Sequence, residues 1–184
     1  MVVFTSDNGG SLAHTQSNDP WRGGKQDHYD GGLRVPFVAR WPGRIQPGSL
    51  SDYQGLNFDL FPTFLVIAGV TPSPTLDAVS LLPVFDGATL SKPRDLYFVR
   101  REGGLGYGGK SCEAIISDGW KLMQNDPFSS MELYHLTSDP LEKENLVKSN
   151  PSMAAQLAKR LRAQIQIGGA TPWRKASPEL KKMR

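Results

Sequence analysis

Between Gly9 and Arg34 the chain holds 26 residues with no helical or strand period, punctuated by the glycine turns Gly23-Gly24 and Gly31-Gly32. A stretch this long without its own secondary structure is either a functional loop or disordered, and any fold of this chain has to be built around it. Apolar runs flank it. Val2 to Thr5 read as a short buried strand that empties into Asp7-Asn8-Gly9-Gly10, and Val35 to Ala39 read as a second strand, closed by Trp41-Pro42-Gly43. A buried strand needs neighbours on both sides, which in a parallel sheet come partly from preceding chain, so the first residues fit the interior of a larger sheet.

The rest of the chain is ordinary enough to build a core. Its 184 residues are 39% hydrophobic and 21% charged, which places it among soluble globular proteins. No apolar run is long enough to cross a bilayer, and no signal peptide precedes the first strand. The formal charge of +3 gathers only near the end, at Arg174-Lys175 and Lys181-Lys182. With no aromatic platform beside them, these residues read as a solvated terminus rather than a nucleic-acid arm. The single cysteine, Cys112, cannot form an internal disulfide and reads as a buried structural thiol.

Residues 57–68 predict a short helix, capped by Asp59, with Pro62 in its first turn and Gly69 after its end. Leu60, Phe61, Phe64, Leu65 and Ile67 surround nearly its whole circumference, so it should be buried. A subdomain boundary is expected near residue 93, dividing the chain into 1–92 and 93–184. Beyond it, Leu96–Arg100, Ala114–Ser117, Lys121–Gln124 and Leu133–His135 are short strand-like runs separated by turns such as Asp118-Gly119, which predicts a small antiparallel sheet. Asn150 and Pro151 then open a helix that carries Met153, Leu157, Leu161 and Ile165 at every fourth position and ends at Gly168-Gly169. That stripe should pack on the sheet.

Asp7 and Asn8 stand at the carboxyl end of the first strand, where ligands bind in open α/β sheets. A carboxylate beside an amide carbonyl offers two hard oxygen donors, suited to calcium or magnesium rather than zinc. Two donors are too few for either ion, and on spacing alone a plain strand-to-loop turn is the favoured reading. Lys25 follows two glycines that let backbone approach closely, and its ammonium suits a tetrahedral oxyanion; the alternative is a solvated loop lysine. His14 and His28 flank it and could move protons near neutral pH, or be loop histidines with no such role.

Several blocks, taken together, resemble the sulfatase family in order and spacing. They are Phe4-Thr5-Ser6-Asp7-Asn8-Gly9-Gly10, Arg22-Gly23-Gly24-Lys25, Gly31-Gly32-Leu33-Arg34-Val35-Pro36-Phe37 and Arg40-Trp41-Pro42-Gly43. Asp59-Leu60-Phe61-Pro62-Thr63, Gly119-Trp120-Lys121-Leu122, Glu132 to Leu136, Asp139-Pro140 and Glu144-Asn145-Leu146 continue the match. The resemblance covers about residues 2–150. It implies the α/β, alkaline-phosphatase-like fold, here an incomplete large mixed sheet with helices, plus a small C-terminal antiparallel sheet packed by a helix. It implies hydrolysis of sulfate esters through a formylglycine nucleophile and a calcium ion, with Asp7 and Asn8 as two calcium ligands and Lys25 on the sulfate or its leaving oxygen. Where phosphatase-like relatives place histidine this chain has Asn8, which favours calcium and sulfate. A phosphoesterase or phosphonate hydrolase of the same superfamily, and a non-catalytic module that keeps the fold, are the competing readings.

The sequence departs from the family in four places. The family usually has Glu at Asp30, Gly at Gln26, Gly at Ala78 and Asp at His135, and the first two bear on the loop behind Lys25. No Cys/Ser-x-Pro-x-Arg motif occurs, and the family's paired aspartates on its first strand, with its upstream histidine and lysine, are missing as well. A shortened chain, a partial gene or an internal start is therefore expected, and this polypeptide alone should not turn over a sulfate ester. The expected partner is a sulfated small molecule or sulfated carbohydrate, with no nucleic acid and no membrane. An exposed truncated sheet should invite self-association, and the family suggests a periplasmic or extracellular location.

Overall fold

The structure, a computed structural model, describes residues 1–88, 94–101 and 111–169. The expected boundary near residue 93 and the basic tail lie outside the described residues. The chain forms two compact units, Met1–Leu96 with Pro140–Glu142, and Tyr97–Asp139 with Lys143–Arg184.

In the first unit β1 (Val2–Thr5) pairs antiparallel with β2 (Phe37–Arg40), in the register Val2 to Arg40 and Thr5 to Phe37. This corrects the expectation of a buried strand. Val2 is 64% exposed and Phe4 65% exposed, because among the described residues β1 has a single neighbouring strand and no element covers these side chains. The second strand starts two residues later than expected, since Pro36 has no N–H to give to a ladder.

The predicted helix divides into a 3₁₀ turn, Asn57–Asp59, and α2 (Leu60–Ile67), after a single-turn helix α1 (Asp30–Leu33) earlier in the chain. Only Pro62 and Thr63 of α2 are buried, while Phe61 and Phe64 are exposed. The expectation of burial all round is therefore corrected: the apolar circumference is real, but within this unit only one side of the helix finds a surface. Asp59 stands at the N-cap of α2, but its side chain bonds back to Leu56, ahead of the 3₁₀ turn, rather than to the N–H groups of α2. Its carboxylate is fully buried and accepts the Leu56 N–H at 2.8 Å and the Val79 N–H at 3.0 Å, with Arg94 paired to both oxygens. Thr63 extends the network by accepting the Leu81 N–H at 2.8 Å while donating to the Asp59 carbonyl at 2.6 Å. A further one-turn helix, α3 (Leu82–Phe85), follows, with Pro83 in its first turn, where a missing N–H costs nothing.

The second unit follows its sequence pattern closely. β3 (Leu96–Arg101), β4 (Ser111–Ser117), β5 (Trp120–Gln124) and β6 (Glu132–His135) form a sheet in that order. β4 and β5 meet at Ser117 and Trp120, so Asp118 (φ 48°) and Gly119 (φ 77°) are a two-residue hairpin loop with both angles positive. α4 (Pro151–Gly169) lies on this sheet. Ile115, Leu122 and Leu133 supply one side of the core, Leu157 and Leu161 the other, with Met153 and Ile165 at its margin. Each such side chain taken from water is worth about 1.5–3 kcal/mol, which is why the fourfold apolar spacing sets the helix's orientation. Cys112 is buried as expected, its thiol directed at the Asn125 carbonyl at 3.0 Å.

Candidate cation and oxyanion site

The long glycine-rich segment is not a loose loop. The Gly9 N–H donates to the Gly32 carbonyl at 3.0 Å, the Lys25 N–H to the Gly10 carbonyl at 2.9 Å, and the Gly31 N–H to the Arg22 carbonyl at 2.7 Å. Three backbone segments, 9–10, 22–25 and 31–32, thus lie directly against one another. Glycine is required at the crossings: a Cβ on Gly9 would stand 1.7 Å from the Gly31 carbonyl oxygen, and one on Gly31 would stand 2.3 Å from that of Gly23. Backbone can approach backbone this closely only where no side chain intervenes.

Two polar side chains lock the crossing. Asn18 accepts the Gly10 N–H at 2.6 Å and donates to the carbonyls of Gly10, at 2.9 Å, and Gly23, at 3.1 Å. Asp27 accepts the Gly24 N–H at 3.1 Å and the Tyr29 N–H at 3.1 Å, and so shapes the turn that follows Lys25. A third contribution comes from far along the chain: the buried Glu142 accepts the Asp30 N–H at 2.7 Å, and its own carbonyl accepts from Arg22 at 2.8 Å. None of these three was singled out from the sequence. Asn18 and Asp27 belong to residue types that bond locally to backbone, but many such residues occur in the segment. Glu142, more than a hundred residues away, carries no local signal at all.

Asp7 is exposed and its carboxylate finds no hydrogen bond or ion pair among the described residues. Asn8 is half-buried and donates its amide nitrogen to the Gly9 carbonyl at 3.0 Å, an orientation that leaves the side-chain oxygen free to accept or coordinate. Ser6 braces the same turn by donating to the Asn8 carbonyl at 2.9 Å, and Asn57 donates to the Ser6 carbonyl at 2.7 Å. Lys25 is exposed, its backbone tied to the residue two positions after Asn8. His14 is exposed on a 3₁₀ turn, its Nδ1 at 2.9 Å from Ser11 Oγ, and no bond joins it to Lys25 among the described residues. His28, by contrast, is buried. Among the described residues no three His, Cys, Asp or Glu side chains cluster as a cation site; Asp7 and Asn8 offer two oxygen donors on one turn.

The loop also shows why glycine suits the place of Gln26: the residue sits at φ 90°, a region that L side chains rarely adopt. At Asp30 the shorter carboxylate still reaches Arg34, whose Nε lies 2.9 Å away.

The family described as N-sulphoglucosamine sulphohydrolase, C-terminal, matches residues 24–167, most of the chain, including Lys25 but not the Asp7–Gly10 turn, Asn18 or Gly23. The chain belongs to the sulfatase family. A sulfatase of Formosa agariphila is 34% identical over 179 residues, covering 89% of this chain and 32% of its own length. The N-acetylgalactosamine-6-sulfatase of Canis lupus familiaris is 41% identical over 106 residues, 54% of this chain and 20% of its own. This sulfatase chain therefore spans between a fifth and a third of the length of these curated relatives. Among solved structures, Ps i-CgsB in complex with k-i-k-neocarrahexaose superposes with a TM-score of 0.76 at 28% identity, over 88% of this chain and 35% of that one. The fold is alkaline-phosphatase-like, as the resemblance implied.

Proposed function

We propose that this chain supplies the cation-binding turn and an oxyanion-binding lysine to a sulfuric ester hydrolase, and that the complete protein acts on a sulfated carbohydrate. The observation that carries the reading is the hydrogen bond from the Lys25 N–H to the Gly10 carbonyl, which ties the backbone of this exposed lysine to the residue two positions after Asn8. Family membership supports the reaction class. The sugar substrate is supported by relatives whose names refer to a sulfated amino sugar and by a similar structure solved with an oligosaccharide.

The donors suit calcium: a carboxylate with no competing partner among the described residues and an amide oxygen left open by the bond its nitrogen makes. Asp7 and Asn8 would hold the ion, which draws negative charge off bound sulfate oxygens when present. Lys25 adds a positive charge for the same oxyanion, as a mobile point charge rather than a fixed fork. The glycine crossing, with Asn18 and Asp27, holds the two charge-bearing segments in register, so that no ordering of the loop is needed when the ester binds. Asp7 and Asn8 alone provide too few oxygens for tight binding, so calorimetry on the chain should give a calcium Kd in the millimolar range or weaker. The chain should also hydrolyse an aryl sulfate no faster than its Lys25→Ala variant. Micromolar calcium affinity, or hydrolysis clearly above that control, contradicts the assignment.

A further inference from the structure

Arg34 is tied at one edge only. Its Nε lies 2.9 Å from the buried Asp30 carboxylate, its guanidinium carbon sits 4.1 Å from the centre of the Trp21 ring, and the side chain is still 46% exposed. Beyond Asp30, the side chain makes no hydrogen bond or ion pair among the described residues. A guanidinium held flat by a ring on one face and a carboxylate on one edge has already lost most of its rotamer freedom, so binding an oxyanion through the remaining edge costs little further ordering. Charge supports the same role. Asp30 offsets part of the arginine's charge, but its carboxylate is buried while the Arg34 side chain remains half exposed.

The position is equally informative. Trp21 opens, and Lys25 ends, the same run of five residues, and the helical turn that carries Arg34 is bonded to that run through the Gly31 N–H and the Arg22 carbonyl. An aromatic ring and a rigid guanidinium therefore share one glycine-built platform with the proposed sulfate-binding lysine. Sugar rings stack on aromatic faces, and sulfate or carboxylate groups match the arginine fork.

We propose that Trp21 and Arg34 form a subsite for a second oxyanion, carried by the sugar next to the one whose ester Lys25 contacts. This rests on the sulfatase reading of Lys25 and deepens it: the preferred ligand is an oligosaccharide with charge on adjacent sugars, rather than an isolated sulfated monosaccharide. The second oxyanion is a carboxylate in a uronate-containing chain and a sulfate in a galactan, and the chemistry at the fork is the same.

The test is an NMR titration of the chain with three probes: N-acetylgalactosamine 6-sulfate, a chondroitin 6-sulfate tetrasaccharide and an iota-carrageenan tetrasaccharide. Wild type should bind at least one tetrasaccharide roughly tenfold more tightly than the monosaccharide, and which one identifies the second group. Arg34→Gln should remove that advantage and leave the monosaccharide within about twofold. Because losing Arg34 also removes one of Asp30's partners, Trp21→Leu serves as the second variant; it keeps the Asp30–Arg34 pair and should still lose most of the advantage. Equal affinity of wild type for all three probes overturns the subsite, as does a loss in both variants that is the same for monosaccharide and tetrasaccharide. Failure of the lysine reading looks different: Lys25→Ala would leave every probe unchanged while the Arg34 effect on the tetrasaccharide persisted.

Discussion

Replacing Gly9 by alanine is the sharpest perturbation of the site's scaffold, because it adds one methyl group and removes no side chain. The new Cβ would lie 1.7 Å from the Gly31 oxygen, 2.8 Å from the Gly31 carbonyl carbon and 3.0 Å from the Gly32 Cα. Real Cβ atoms essentially never approach closer than 3.0 Å, so the crossing must open by 3.0 minus 1.7, or 1.3 Å, and every obstructing atom is backbone. Overpacking of this kind costs about 1–3 kcal/mol. The opening also stretches the 3.0 Å bond from the Gly9 N–H to the Gly32 carbonyl, and leaving those groups unsatisfied adds about 1–2 kcal/mol. A loss of about 2–5 kcal/mol corresponds, at about 4–8 °C per kcal/mol for a unit of this size, to a fall of about 8–40 °C in the unfolding midpoint of the first unit. Thermal unfolding by circular dichroism measures it, with amide exchange at Lys25 as the local readout, since that N–H is held by Gly10 next to the substitution. Gly168→Ala is the control: a Cβ there meets nothing within 4 Å, and helix propensity should raise stability by up to about 0.8 kcal/mol. A midpoint for Gly9→Ala within a degree of wild type, with Lys25 exchange unchanged, would refute the crossing as drawn.

Asp59→Ala should be severe, about 3–5 kcal/mol, because it strands Arg94 and the N–H groups of Leu56 and Val79 around a buried void; chemical denaturation that finds less than 1 kcal/mol would show the network to be dispensable. Gln26→Gly should stabilise the loop by about 1 kcal/mol through relief of the φ 90° backbone, and a lowered midpoint would mean that the Gln26 side chain contributes more than its backbone costs. The Arg44 hydrogen bond, the largest influence on Asp86, holds that carboxyl below the ordinary aspartate value. The pair's contribution is therefore present above the unfolded pKa and fades as pH falls through the lower folded one; an NMR titration placing Asp86 at or above the free value would show that the pair does not persist in solution. Metal profiling of the complete protein should favour calcium over manganese or zinc, and the reverse order with phosphate diesters would support the phosphoesterase alternative.

The second unit was largely legible in the chain, for a local reason. Its strands are joined by tight turns such as Asp118-Gly119, and its helix carries Leu157 and Leu161 at a spacing that leaves one face to bury, so near-neighbour patterns decide the packing. In the first unit local pattern predicted too much burial. Phe4, Phe61 and Phe64 are apolar enough for a core, yet hydrophobicity states only what a residue prefers and not whether the described chain brings it a partner.

The candidate site divides along the same line. Motif order alone pointed to Asp7, Asn8 and Lys25 and to the glycines around them, because the chemistry of hard oxygen donors and the steric demand of close backbone contact are properties of residue types. Only the folded structure could join the Gly9, Gly23 and Gly31 segments, assign Asn18, Asp27 and Glu142 to hold them, and leave the Arg34 fork open on Trp21. Those contacts pair residues that are distant along the chain or ambiguous within it, and their energy exists only once the backbone has brought the partners within hydrogen-bonding reach.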